Sequence, residues 1–295
     1  MEKKKINLFL LWSFVIAWIL QVAASWFAWK GQRIAYTLFL AVSMYAPLFG
    51  VILAKTPLSG MGWKPQIKGN IRWIGAAWFG PALVATIGAA LYFLLFPARI
   101  DLTGAYLTHT AGETVLDQLE AQGLTLPIYI MIQVVSAISY APWINMFFAV
   151  GEEAGWRGAL YPYLKERFGL TKGRIVGGVI WGVWHWPIMI LAGYEYGSVY
   201  WGAPVLGIIL FCLITMGMGT LLDVLYVKTK CIWVPSLAHG AINAFAGVPL
   251  LFNNPDYLNQ MTLGPTMVGI IGGLPMLLLA ILVLFGRKTL PVNSD

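Results

Sequence analysis

Residues 126–169 read LPIYIMIQVVSAISYAPWINMFFAVGEEAGWRGALYPYLKERFG. From Leu126 to Val150 no charge interrupts an apolar run that, at about 1.5 Å per residue, is long enough to cross a hydrocarbon core roughly 30 Å thick. Two adjacent carboxylates and a guanidinium follow, Glu152, Glu153 and Arg157, and the helical pattern continues through Leu164 to the cations Lys165 and Arg167. In lipid such a run must be helical, because backbone polar groups find no water there, and it lacks the alternation of a barrel strand. This stretch predicts an all-α fold and places charge where a membrane protein ordinarily has none.

The rest of the chain is of the same kind. Of 295 residues, 59% are hydrophobic and 11% charged, too apolar for a soluble domain. About eight spans are expected, near 7–28, 35–54, 71–96, 126–150, 174–193, 202–226, 233–252 and 264–285, forming one polytopic transmembrane helix bundle over residues 1–295. Fifteen of the 19 Lys and Arg residues fall in the N-terminus and in the loops around 55–72, 165–174 and 228–230, with Arg287 and Lys288 in the tail. Positive charge stays on the cytoplasmic side, so both termini are expected there. The opposite loops carry Lys30, Arg33 and Arg99 with Asp101, Glu113, Asp117, Glu120, Glu195 and Asp256. The net charge of +7 then reflects topology, and a nucleic-acid partner is not expected.

Three lysines before an apolar run ending in Ala23, Ala24 and Ser25 also resemble a signal peptide, but the run continues into Trp26 and Phe27 and reads as a retained first span. Cys212 and Cys231 have no metal or redox spacing. His109, in the long loop 98–125, reads as a solvated loop histidine. Glycine pairs at 151/155, 178/182 and 269/273 predict close helix approach.

Charge inside a bilayer costs about 2.5–3.5 kcal/mol per residue on insertion scales, so the few buried charges are the functional candidates. Glu153 and Arg157, four apart with the acid first, suit a same-face ion pair, which leaves Glu152, rotated about 100°, as the freer carboxylate and candidate general base. His185, in Trp181-Gly-Val-Trp-His185, and His239, in Ser236-Leu-Ala-His239-Gly-Ala-Ile-Asn243, both fall inside apolar spans, and His239 shares a helix face with Asn243. Counting back to the basic ends puts His239, His185 and Glu152 roughly 9, 16 and 20 Å deep, and the expected site opens to the cytoplasm. A carboxylate beside an imidazole can activate water, and a second imidazole with an amide can stabilise an oxyanion. Glu152, His185 and His239 could instead hold zinc.

In order, Glu152-Glu153-x-x-x-Arg157, Trp181-x-x-x-His185 and His239-x-x-x-Asn243 resemble the three motifs of the CAAX-prenyl-protease and bacteriocin-processing (CPBP) family of intramembrane peptidases. They lie in a core of about 126–252. The second motif usually begins with Phe; here it is Trp181, for which an aromatic packing role is expected. The resemblance implies an endopeptidase in which Glu152 and His185 activate water, His239 and Asn243 form the oxyanion hole, and Glu153 and Arg157 support the site, with no cofactor required and zinc as the alternative. It implies a membrane-delivered protein or peptide substrate, prenylated and ending in a CAAX box in a eukaryotic endoplasmic reticulum membrane, or a maturing peptide or bacteriocin in a prokaryotic cell membrane. A proton-coupled transporter, or a non-catalytic scaffold or immunity protein, would use the same buried residues differently.

Overall fold

The computed structural model describes residues 2–286, so the expectation placed on Arg287 and Lys288 lies outside the described residues. Fourteen α-helices follow in order: α1 (Lys3–Trp29), α2 (Arg33–Ser43), α3 (Ala46–Leu53), α4 (Ile71–Leu95), α5 (Ala105–Ala111), α6 (Val115–Ala121), α7 (Leu126–Ile138), α8 (Ala141–Gly155), α9 (Tyr161–Phe168), α10 (Leu170–Trp184), α11 (Trp186–Ala192), α12 (Val205–Thr229), α13 (Trp233–Phe245) and α14 (Leu274–Phe285). Among the described residues there is no strand beyond one isolated bridge, Ile100 with Asn253, and the all-α class holds. Apolar helices of spanning length make this an integral membrane protein.

Among the described residues six helical stretches are long and apolar enough to cross a membrane: Lys3–Trp29, Arg33–Leu53, Ile71–Leu95, Leu170–Ala192, Val205–Thr229 and Trp233–Phe252. The two other expected spans take different forms. The run 126–150 is divided at Ser139 and Tyr140, where α7 stops and α8 restarts with Pro142 in its first turn, a position that tolerates the missing N–H. From Ala141 the helical path runs to Phe168 and carries the carboxylates within it, as the pattern continuing through Leu164 predicts. The run 264–285 is helical only over Leu274–Phe285, whose 12 residues rise about 18 Å, well short of a hydrocarbon core. The turns before it press on α4: a Cβ on Gly88 would lie 1.8 Å from the carbonyl oxygen of Gly272.

Two of the three glycine spacings allow close helix packing, whereas Gly269 and Gly273 lie in the turns before α14, where a Cβ on Gly269 would meet the backbone of Gly264. A Cβ on Gly151 or Gly155 would meet Met44, Tyr45 or Pro47 at the α2–α3 junction, and one on Gly178 or Gly182 would meet Met216 or Cys212 of α12. Gly240, not singled out by spacing, matters most for function. Its absent side chain lets α13 come within 2.5 Å, measured from an added Cβ, of the Met146 amide and the Pro142 carbonyl on α8, which brings His239 beside Glu153.

Basic segments gather at one end of the bundle. The Ile232 amide donates to the Gly62 carbonyl, Thr171 donates to Leu284 near the end of α14, and Asp223 on α12 binds both Lys165 at 2.6 Å and Arg174 at 2.7 Å. Asp223 is fully buried. Removing one partner of such a group leaves uncompensated charge in a low dielectric, so Asp223→Ala is expected to cost about 3–5 kcal/mol of stability. Loss of resistance to denaturing detergent would show it, while an unchanged unfolding midpoint would contradict it.

Candidate active site

The site starts from a fault in one helix. Directly after α8, residues Trp156–Leu160 form a π turn, a widening that recurs at functional sites. Pro162 supplies a local reason: it cannot donate to the Gly158 carbonyl as the next α-helical turn would need. Just before the widened turn, Glu152 and Glu153 are 2% and 0% exposed, and within it Arg157 is 0% exposed.

Glu153 is fully engaged. Its Oε2 lies 3.1 Å from Arg157 Nε, as the spacing predicts, and its Oε1 is 2.9 Å from His239 Nδ1, a contact that only the α8–α13 packing creates. The Arg157 guanidinium rests over the rings of Trp181, 4.6 Å from the centroid, and Tyr161, 4.9 Å. Aromatic faces thus accompany a cation that is ion-paired to Glu153 but none of whose nitrogens makes a hydrogen bond among the described residues.

Glu152 points away from that cluster. Its Oε2 accepts hydrogen bonds from Trp181 Nε1 at 2.7 Å and Trp156 Nε1 at 3.2 Å, while Oε1 makes none among the described residues. The expectation that Trp181 only keeps an aromatic packing role is therefore corrected: its indole N–H donates to the candidate base, which Phe cannot do. Trp181→Phe keeps a ring against Arg157 and His239 but removes a bond to a charged group worth about 1.5–3 kcal/mol. If Glu152 acts as proposed below, a fall of about tenfold or more in peptide-cleavage kcat/KM is expected for this variant. Wild-type turnover would show that Trp156 alone suffices.

His185 sits at the junction of α10 and α11, where Pro187 restarts the helix. Its Nδ1 is 2.9 Å from the Trp181 carbonyl; a carbonyl only accepts, so Nδ1 carries the proton and Nε2 is left as the acceptor. Trp184 and Phe211 pack edge-on at 4.6 and 5.0 Å, and Tyr194 lies parallel at 6.3 Å. On α13, the His239 ring meets Trp181 at 5.3 Å, and Asn243 follows one turn later, exposed.

Glu152, His185, His239 and Asn243 line one cavity of about 440 Å³; Glu153 and Arg157 lie behind it. Among the described residues no group of three or more His, Cys, Asp or Glu side chains is placed to hold a metal ion. His109 lies elsewhere, in a shallow surface depression with Thr108 and Glu113. Three lining groups were not legible as site residues. Gln21, a buried polar residue in α1, donates to the Trp184 carbonyl at 3.1 Å and fixes the wall beside His185. Tyr194 and Glu195 come from the segment between α11 and α12, and burial pushes the Glu195 carboxyl above the usual range against the pull of the Tyr194 hydroxyl. A polar residue within a span was the available signal for Gln21; Glu195 gave none, because it reads as part of a loop.

The helix count gives His185 the depth expected of it, and the mouth of the cavity lies toward the end of the bundle away from the basic segments. Its lining residues Gln21, His185 and Phe211 stand about 24, 16 and 26 Å along their helices from Lys5, Arg174 and Lys228. Lining residues that are themselves exposed mark the mouth: Thr37 and Leu38 on α2, Phe148 on α8, and Asn243 and Ala246 at the end of α13.

Fold and site together define a helical, multi-span membrane protein with a buried carboxylate–imidazole centre. Residues 134–245, which contain all three motifs, match the family model described as Type II CAAX prenyl endopeptidase Rce1-like, in agreement with the resemblance to the CPBP family. The chain is also similar to the "CAAX prenyl protease 2" of Methanococcus maripaludis, 31% identical over 101 residues, a match covering 32% of this chain and 35% of that protein. The similarity thus spans about a third of the relative's length.

Proposed function

We propose that this protein is an intramembrane endopeptidase that hydrolyses a peptide bond near the C-terminus of a membrane-delivered protein or peptide. The observation that carries this reading is the division of labour between the two adjacent carboxylates. Glu153 is consumed by Arg157 and His239, whereas Glu152, oriented by two indoles, keeps an oxygen for the cavity that His185 also lines.

In the proposed reaction, water between Glu152 and His185 Nε2 gives up a proton to Glu152 as its oxygen attacks the scissile carbonyl. His239, its Nδ1 bound to Glu153, donates to the oxyanion from Nε2 in the imidazolium form, whose charge lies against the Glu153 carboxylate; the Asn243 amide donates beside it. The proton held by Glu152 then passes to the leaving amine as the C–N bond breaks, the second water proton leaves the new carboxylic acid through His185 Nε2 and is taken up by the amine, and a carboxylate and an ammonium are released. A mouth between α2 on one side and α8 and α13 on the other, bordered by exposed Leu38 and Phe148, suits a substrate held at the membrane, with a prenyl group as one means of delivery.

The reading is tested with purified protein and a fluorogenic prenylated C-terminal peptide, with and without chelator. Cleavage that survives chelation supports water activated by Glu152 and His185; chelator-sensitive cleavage restored by zinc would make the histidines ligands. No cleavage of that peptide or of an unprenylated panel would sink the peptidase reading. Access is checked separately in a chain lacking Cys212 and Cys231. An impermeant thiol reagent is expected to label Thr37→Cys and Lys172→Cys from opposite sides of the membrane, and labelling from one side would refute the placement of the mouth.

A further inference from the structure

Glu195 lines the same cavity as Glu152, His185 and His239, yet it lies outside all three motifs and the proposed chemistry does not use it. It sits in the segment between α11 and α12 with its backbone in the left-handed region, at φ 70. The Tyr194 hydroxyl donates to its carboxylate, and the Tyr194 ring lies 6° from parallel with the His185 imidazole at 6.3 Å. This carboxylate therefore shares a wall with a candidate catalytic imidazole.

Apart from His239, whose charge is balanced by Glu153 behind it, the charge of that wall is one-sided. Among the described residues no Lys or Arg lines the cavity, and none forms an ion pair with Glu195. Arg157, the nearest cation to the catalytic carboxylates, is sealed behind Trp181 with no exposed surface. The fixed ionisable groups that a substrate meets are two carboxylates and two imidazoles. An unpaired carboxylate in a low-dielectric cavity attracts a cation strongly and repels another carboxylate by the same Coulombic term.

We infer that Glu195 is a specificity residue that receives the ammonium or guanidinium group of a lysine or arginine side chain near the scissile bond. The favoured substrate is then a segment that carries a basic side chain near the scissile bond. The word "scissile" rests on the peptidase reading above; the cation site itself does not.

The test compares peptides that differ only by lysine or norleucine, scanned over the three residues on either side of the cleaved bond. At one position the wild type is expected to favour lysine by about tenfold in kcat/KM, mainly through KM, because the contact is made equally in ground and transition states. Glu195→Gln should bring the ratio close to one, and Glu195→Lys should turn the preference towards glutamate at that position, a reversal that mere damage to the fold would not produce. A wild-type ratio near one throughout, or a ratio unchanged in Glu195→Gln, would overturn the assignment. Binding of the same peptides to Glu152→Gln protein separates the two claims. Tighter, Glu195-dependent binding of the lysine peptide without any cleavage by the wild type keeps the cation site and removes the peptidase reading. Charge-independent binding removes the cation site whether or not cleavage occurs.

Discussion

Glu152→Gln is expected to lower peptide-cleavage kcat by about a thousandfold, within the 10²–10⁴ range of a positioned general base. The amide is nearly the same size, and its oxygen can still accept from Trp181 and Trp156, so the cavity wall keeps its shape. What disappears is the capacity to take a proton from water. The effect should therefore fall on kcat and leave KM close to its original value, the pattern of an interaction made in the transition state. A single-turnover assay against wild type measures it directly, with the detergent-unfolding midpoint as a control for folding. Wild-type turnover by Glu152→Gln would remove Glu152 from the chemistry and favour a scaffold or transport role for the same buried residues.

Glu153→Ala should act on the fold first. Arg157 is fully buried and ion-paired to Glu153, and none of its nitrogens makes a hydrogen bond among the described residues. Truncating the carboxylate leaves that cation uncompensated and strips His239 of its Nδ1 partner, at an expected cost of about 3–5 kcal/mol. Cleavage should fall even in the fraction that folds, because nothing then fixes the His239 ring or opposes a charge on it. The double variant Glu153→Ala/Arg157→Met tests the origin of the cost. If an orphaned charge is responsible, the double variant should be more stable than the single one, since removing both partners of a buried pair is often neutral. Its activity should stay low, because His239 is still unanchored. A double variant less stable than Glu153→Ala would point to packing around the guanidinium stem instead.

Each level of the sequence signal stopped at a physical limit. Apolar length determined the all-α membrane fold, because lipid offers backbone groups no alternative to helix. The 100° turn per residue determined that Glu152 and Glu153 diverge and that Arg157 joins Glu153. The ordered motifs determined which six residues to watch, and four of them do line one cavity. Long-range contacts were decided only by tertiary packing. His239 reaches Glu153 because Gly240 lets two helices touch, and Trp181 serves Glu152 because α10 turns its indole across the bundle. Asp223, a single acid in an apolar helix, was answered by Lys165 and Arg174 from helices about 50 residues away in sequence. Glu195 enters the cavity from a loop, and the mouth opens away from the basic end, because side chains from separate helices share a cavity through packing that no single-helix periodicity encodes.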